Sequence, residues 1–342
     1  MWTVKLFRAD HVPSDFREPF IVSGYRSCRS SALSCLQSAF NFTNETINFW
    51  THFLAFVFFA WRLGYLYEEY DLANDRFALP LFTFGISCCA YMLTSSTAHL
   101  FNCVSERGRH ICFFLDYSAL SIYSLGSAIV YNYYVFPSSF VNKTLHNMYI
   151  PMACIMAVVC TVLACLSRLA RGPKYQKILR LSAFVLPYAF CSFPLLYRCY
   201  FCEEEDCSSE ALLLHKQQFV LAFMTSFIYA THIPECFAPG RFDIFGHSHQ
   251  LFHVMGVITT YRQMQALVSD LGQRRAFLLA AIAMPTLGGT LALLGILVFI
   301  NLIIVTGFSV LVWKPESLHK IKTSKSIVNI FALENGSSKK DD

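Results

Sequence analysis

Three histidines and one aspartate carry the most readable chemistry of this 342-residue chain: His99, Asp116, His249 and His253. His249 and His253 stand four residues apart in Gly246-His247-Ser248-His249-Gln250-Leu251-Phe252-His253, which on a helix puts both on one face about one turn apart. That is a metal-ligand spacing. Ser95-Ser96-Thr97-Ala98-His99 supplies a third imidazole with Ser95 and Ser96 one turn behind it, and Leu115-Asp116-Tyr117 adds a carboxylate. Three imidazoles with an open position for water form the usual first shell of a catalytic Zn2+, a borderline-soft ion that accepts neutral nitrogen well. Asp116 then serves either to orient a ligand or as the base that holds the water. The bland alternative is that each histidine is a core residue satisfied by a neighbour.

The elements that must position these residues are membrane helices. The chain is 55% hydrophobic and 16% aromatic with 14% charged residues, far from a soluble domain of its length. Apolar runs long enough to span a bilayer recur at Phe49–Leu66, Phe77–Phe101, Ile111–Phe136, Tyr149–Leu166, Ile178–Tyr197, Phe219–Ile233, His249–Val268 and Thr286–Val312. The reading is an all-α polytopic membrane protein of eight spans, the sixth the shortest. The organisation that follows is an N-terminal segment 1–48, a helical bundle 49–312 and a basic tail 313–342. Met1 to Phe20 has charged residues and no apolar core, so the first span is expected to act as the targeting signal.

Lysines and arginines orient the bundle. Eighteen fall in the N-terminal segment, the even-numbered loops and the tail, against seven in the alternate loops and the helix ends beside them, including Arg198, Arg274 and Arg275. The positive-inside rule places both termini in the cytoplasm. The same orientation brings His99, Asp116, His249 and His253 to the cytoplasmic side, although it was assigned from lysine and arginine alone. The net charge of +5 comes from the inner loops and tail, which points to the membrane surface and away from nucleic acid.

On the outer side, Glu68, Glu69, Asp71 and Asp75 and the run Glu203-Glu204-Glu205-Asp206 read as solvated faces. Cys199, Cys202 and Cys207 share the oxidising side, which suggests one disulfide and one thiol left over. The other eleven cysteines read as small buried apolar residues. Arg62 beside Trp61 reads as a snorkelling anchor, and Asn142 is the one outward N-x-S/T sequon. Residues 30–40 have the pattern of an amphipathic surface helix or a soluble lead-in. The lysine-rich tail should be disordered and drawn to the anionic inner leaflet, and Lys339-Lys340-Asp341-Asp342 matches a cytosolic dilysine retrieval signal.

Several longer motifs join these residues: Thr43-Asn44-Glu45-Thr46-Ile47-Asn48-Phe49-Trp50-Thr51-His52, Ser95-x3-His99, Phe114-Leu115-Asp116-Tyr117, Pro239-Gly240-Arg241-Phe242-Asp243 and Ser248-His249-Gln250-Leu251-Phe252-His253. Through them the chain resembles the progestin and adipoQ receptor family along nearly its whole helical length. Its Thr-Asn-Glu-Thr and Gly-His-Ser-His forms and the eighth helix are similar to the membrane progestin receptor branch, nearest the gamma and delta members. The resemblance implies a seven-helix bundle of the adiponectin-receptor and alkaline-ceramidase type plus an eighth helix. It implies zinc at His99, His249 and His253, with Asp116 and Ser95 beside it. It also implies a cell-surface receptor for progesterone or a related steroid that acts through a heterotrimeric G protein, including in oocyte maturation. Cys236 follows Pro234-Glu235 where relatives tend to have arginine, which removes any ion pair from that side chain.

Two function classes stand at this point. In one, the bundle binds a steroid in an apolar cavity; in the other, a zinc ion on three histidines hydrolyses a lipid amide such as ceramide, with Asp116 and Ser95 as catalytic groups. The dilysine tail adds an endoplasmic reticulum pool to the cell-membrane location. Epitope tags at either end should stay invisible on intact cells and appear after permeabilisation; labelling of a C-terminal tag on intact cells contradicts the charge-based topology.

Overall fold

Lipid cannot solvate backbone amides, so a chain this apolar must close its hydrogen bonds within helices. The computed structural model describes residues 4–170, 172–201, 207 and 209–313, and its long elements are all helical. The tail with Lys339 and Lys340, the acidic run 203–206 and Cys202 lie outside the described residues. A short helix α1 (Ala32–Ser38) leads into α2 (Thr46–Glu69), α3 (Leu79–Phe101), α4 (Glu106–Tyr134) and α5 (Thr144–Leu169). There follow α6 (Pro173–Tyr200), α7 (Ser209–Thr231), α8 (Ser248–Gln273), the short α9 (Arg275–Ala281) and α10 (Leu293–Trp313).

Among the described residues, six helices are long and apolar enough to cross a membrane: α3 to α7, and α10 with the turn before it. α2 and α8 are as long, at 24 and 26 residues, and carry the histidine site, but they fall outside that set of six. α8 packs on α2, α2 on α3, α3 on α4, α4 on α5 and α5 on α6, while α7 lies along α8. α10 lies against α4 and α5. Its attachment joins apolar packing of Val305 and Val312 on Phe114, Cys165 and Leu169 to a polar anchor. Buried Asn301 donates to Ser118 O at 3.2 Å and Ser121 Oγ at 2.8 Å, and accepts from Thr161 Oγ1 at 2.9 Å. In lipid, where apolar surface gives little drive for helix association, such bonds hold a helix in place.

The apolar run at Phe219–Ile233 marks only the later part of α7, which begins ten residues earlier at Ser209. Glu210, His215, Lys216, Gln217 and Gln218 interrupt the hydropathy, yet the helix continues through them because His215 faces inward. Its Nε2 lies 2.9 Å from Asp270 Oδ2 of α8, and Arg198 of α6 grips the same carboxylate with two bonds of 2.9 and 2.7 Å. All three side chains are fully buried. Arg198 and Arg274, tallied above with the outer loops, are therefore interior groups, and Arg274 donates to the carbonyls of Tyr134 and Phe136. Asp75 is not simply solvated either: it caps Phe77 N at 3.0 Å and pairs with Arg275 at 2.8 Å. Cys207 is disulfide-bonded and Cys199 is a free thiol. Arg62 lies over the Tyr65 ring, with Glu69 3.9 Å away.

The Arg198, Asp270 and His215 cluster ties α6, α7 and α8 together at the end opposite His249. Losing one member of a buried ion pair costs about 3–5 kcal/mol, whereas replacing both by apolar residues is often neutral. Asp270→Ala should therefore sharply lower the melting temperature of detergent-purified protein, and the Arg198→Met/Asp270→Leu double variant should regain most of it.

Candidate metal centre

The histidine end of the bundle is organised by the segment before α2. Gly24 has φ +84°, and a Cβ there would stand 2.4 Å from Ile244 Cδ1, so the chain crosses the α7–α8 connection only with glycine at this position. Asp243, from Pro239-Gly240-Arg241-Phe242-Asp243, fixes the crossing by accepting from Val22 N at 3.0 Å and Ser23 Oγ at 2.7 Å. Two residues past Gly24, buried Arg26 reaches the end of α3. Its guanidinium donates to His99 O at 2.7 Å, Leu100 O at 2.7 Å, Asn102 Oδ1 at 2.8 Å and Ser38 Oγ at 2.9 Å. A cation on the last carbonyls of a helix satisfies acceptors that have no partner within the helix and meets the negative end of its dipole.

With α3 anchored, His99 points its ring at Glu45, the residue just before α2. His99 Nδ1 lies 2.8 Å from Glu45 Oε2, and the same carboxylate accepts from Asn48 Nδ2 and Asn102 Nδ2, each at 2.8 Å. A carboxylate on Nδ1 holds the proton there and leaves the Nε2 lone pair free. His253 is fixed in the same sense, its Nδ1 lying 3.2 Å from Asn48 O and 3.1 Å from Thr51 Oγ1. His249 sits one turn earlier, and its Nε2 faces His99 Nε2 at 3.2 Å. α8 is set for this by Glu235, which caps Ser248 through both N, at 2.7 Å, and Oγ.

His99, His249 and His253 thus converge, with one nitrogen from each within 4.8 Å of the others; among the described residues this is the one such group of three or more. The donor set fits a zinc ion: three imidazole nitrogens, two of them with the far ring nitrogen tied to an acceptor. Asp116 of α4 meets Ser95 of α3 beside His99, on the same side as the cluster. The carboxylate that bonds a histidine directly is Glu45.

Sequence reasoning quoted Glu45, Asn48, Thr51 and His52 only as parts of a motif. They are the support of the cluster. His52 lies flat on His253, with ring centroids 3.7 Å apart and planes 6° apart. The readable signal was the spacing of Glu45, Asn48 and His52 along one face of a helix start.

A family model described as Haemolysin-III related matches residues 40–264, a stretch that holds Glu45, Asp116 and all three histidines. The chain belongs to that family. Within it the chain falls in the membrane progestin receptor branch. Membrane progestin receptor gamma-B of Danio rerio is 45% identical over 323 residues, 89% of this chain and 93% of the relative. Membrane progestin receptor delta of Mus musculus is 44% identical over 312 residues, 89% and 90% of the two chains. Membrane progestin receptor alpha of Homo sapiens is 31% identical over 265 residues, 77% and 76%. The gamma and delta members of the branch are therefore nearer than this alpha member, as the motifs implied.

Proposed function

We propose that this chain is a progestin receptor of the cell membrane that binds progesterone or a related steroid within its helical bundle and signals through a heterotrimeric G protein. The observation that carries this is the similarity, at 44–45% identity across about nine-tenths of both chains, to relatives named membrane progestin receptors. Eight spans with both termini cytoplasmic complete the reading, and Lys339 and Lys340 would hold part of the population in the endoplasmic reticulum.

His99, His249 and His253 would hold one zinc ion, and Glu45 and the Asn48 carbonyl would keep two of those rings in the ligating tautomer. When bound, zinc supplies a Lewis-acid centre and, with an open position, a water acidified to a pKa of about 7. The pairing of Asp116 with Ser95 beside His99 favours a second reading, a ceramidase-like hydrolase of lipid amides. In that reading Asp116 takes or holds a proton and Ser95 orients the carboxylate. The two cavities described lie at residues 4–37 and 66–82, so neither joins lipid to the histidines.

One preparation tests both. Full-length protein purified in detergent should bind radiolabelled progesterone saturably, contain one zinc per chain and turn over no ceramide. Absence of saturable progestin binding overturns the receptor reading, and ceramide turnover lost on Asp116→Asn establishes the hydrolase.

A further inference from the structure

Beneath the histidine cluster, two cysteines outside the spans face each other. Cys35 on α1 and Cys103, just past the end of α3, have their sulfurs 3.5 Å apart, both buried and neither in a disulfide. The two backbones already meet here: Ser30 N donates to Cys103 O at 3.2 Å, and Arg26 joins Ser38 of α1 to Leu100 O of α3. From 3.5 Å, a disulfide of about 2.05 Å needs a closure of about 1.5 Å, within the reach of two χ1 rotations and a small shift of α1. Among the described residues no third His, Cys, Asp or Glu joins the two thiols in a metal-binding group, so the pair is better suited to oxidation than to ligation.

The pair is buried, with a cavity separated from it by one layer of residues. A cavity of about 390 Å³ is lined by Lys5, Ser27, Ser30, Ser34 and Gln37, which include the residue bonded to Cys103 and the neighbour of Cys35. A hydrogen bond from the Cys35 thiol lowers Cys103 to about 6 against the opposing effect of burial, and the Arg26 guanidinium assists. Cys35 is correspondingly raised, first by that same bond. Cys103 is thus the more acidic of the two thiols and the one suited to attack a peroxide, with Cys35 placed to resolve the product.

We infer that Cys35 and Cys103 form a reversible disulfide on exposure to a hydroperoxide, a redox modification site that locks α1 to the end of α3. The Cys103 thiolate attacks one peroxide oxygen, an S–O bond forms, the O–O bond breaks, and the departing oxygen leaves as water after protonation. The Cys35 sulfur then attacks the sulfenic sulfur, the S–S bond forms, the S–O bond breaks and a second water departs. Two thiols lose two electrons and two protons, and hydrogen peroxide is reduced to two waters. The new bond lies four residues past His99 and next to Asn102, so it ties α1 to the chain beside the Glu45 end of the site.

The test uses full-length protein in detergent, treated with sub-millimolar hydrogen peroxide, quenched by alkylation and digested without reduction. The expected result is a cross-linked peptide pair joining Cys35 to Cys103, the loss of two alkylatable thiols, and their return with dithiothreitol. In Cys35→Ala, Cys103 should be trapped by a sulfenic-acid probe, because the resolving thiol is gone. Oxidation that instead joins Cys103 to Cys28 or Cys112, or peroxide treatment that leaves Cys35 and Cys103 alkylatable, overturns the proposal.

Discussion

A buried carboxylate at the start of α2 sets the histidine end of this bundle. Glu45 is almost out of water, and a charge in that position costs several kcal/mol unless its oxygens are fully bonded. Three donors meet the requirement: His99 from α3, Asn102 from the residue that ends α3, and Asn48 from α2 itself. The same first turns of α2 also place α8, through Asn48 O and Thr51 Oγ1 on His253 and through the His52 ring stacked on it. One short stretch, residues 45–52, therefore brings helices from opposite halves of the chain to a common point. Arg26 and Asp243 fold the N-terminal segment beneath that point, so what sequence alone describes as a lead-in is part of the site.

The two ends of the bundle use buried charge differently. At the histidine end, ring nitrogens converge, as His99 Nε2 and His249 Nε2 do at 3.2 Å, an arrangement in which a cation can replace the proton between them. At the opposite end, the Asp270 carboxylate is held by both Arg198 and His215, so the cluster is closed on itself and ties helices together. The first is a site and the second a clamp. Asn301 plays a lesser version of the clamp for α10, whose apolar faces alone would leave its position in lipid undetermined.

Much of this was legible in the residues, and the parts that were not share a physical reason. Long apolar runs are a one-dimensional signal, and so is a pair of histidines one turn apart; both could be read directly. The start of α7 could not, because hydropathy falls at His215 and Gln218 while the helix continues, and only the position of Asp270 some 55 residues later shows that His215 faces inward. Arg198 and Arg274 read as loop cations for the same reason: burial of a charge depends on a partner that lies far away in sequence. Glu45 was visible as a motif letter, but its role needed the distance to His99, which is 54 residues distant along the chain.

Competition titration of zinc against a chelator, on purified full-length protein and Glu45→Gln, measures the Glu45–His99 link most directly. Glutamine keeps the shape and the bonds from Asn48 and Asn102 but is a weaker, neutral acceptor for His99 Nδ1. If residues 45–52 organise the histidines for a metal, the substitution should weaken zinc binding by about 10–100-fold, the usual effect of losing an outer-shell partner, with the helical melt largely preserved. Wild-type zinc affinity in a folded Glu45→Gln protein contradicts that assignment.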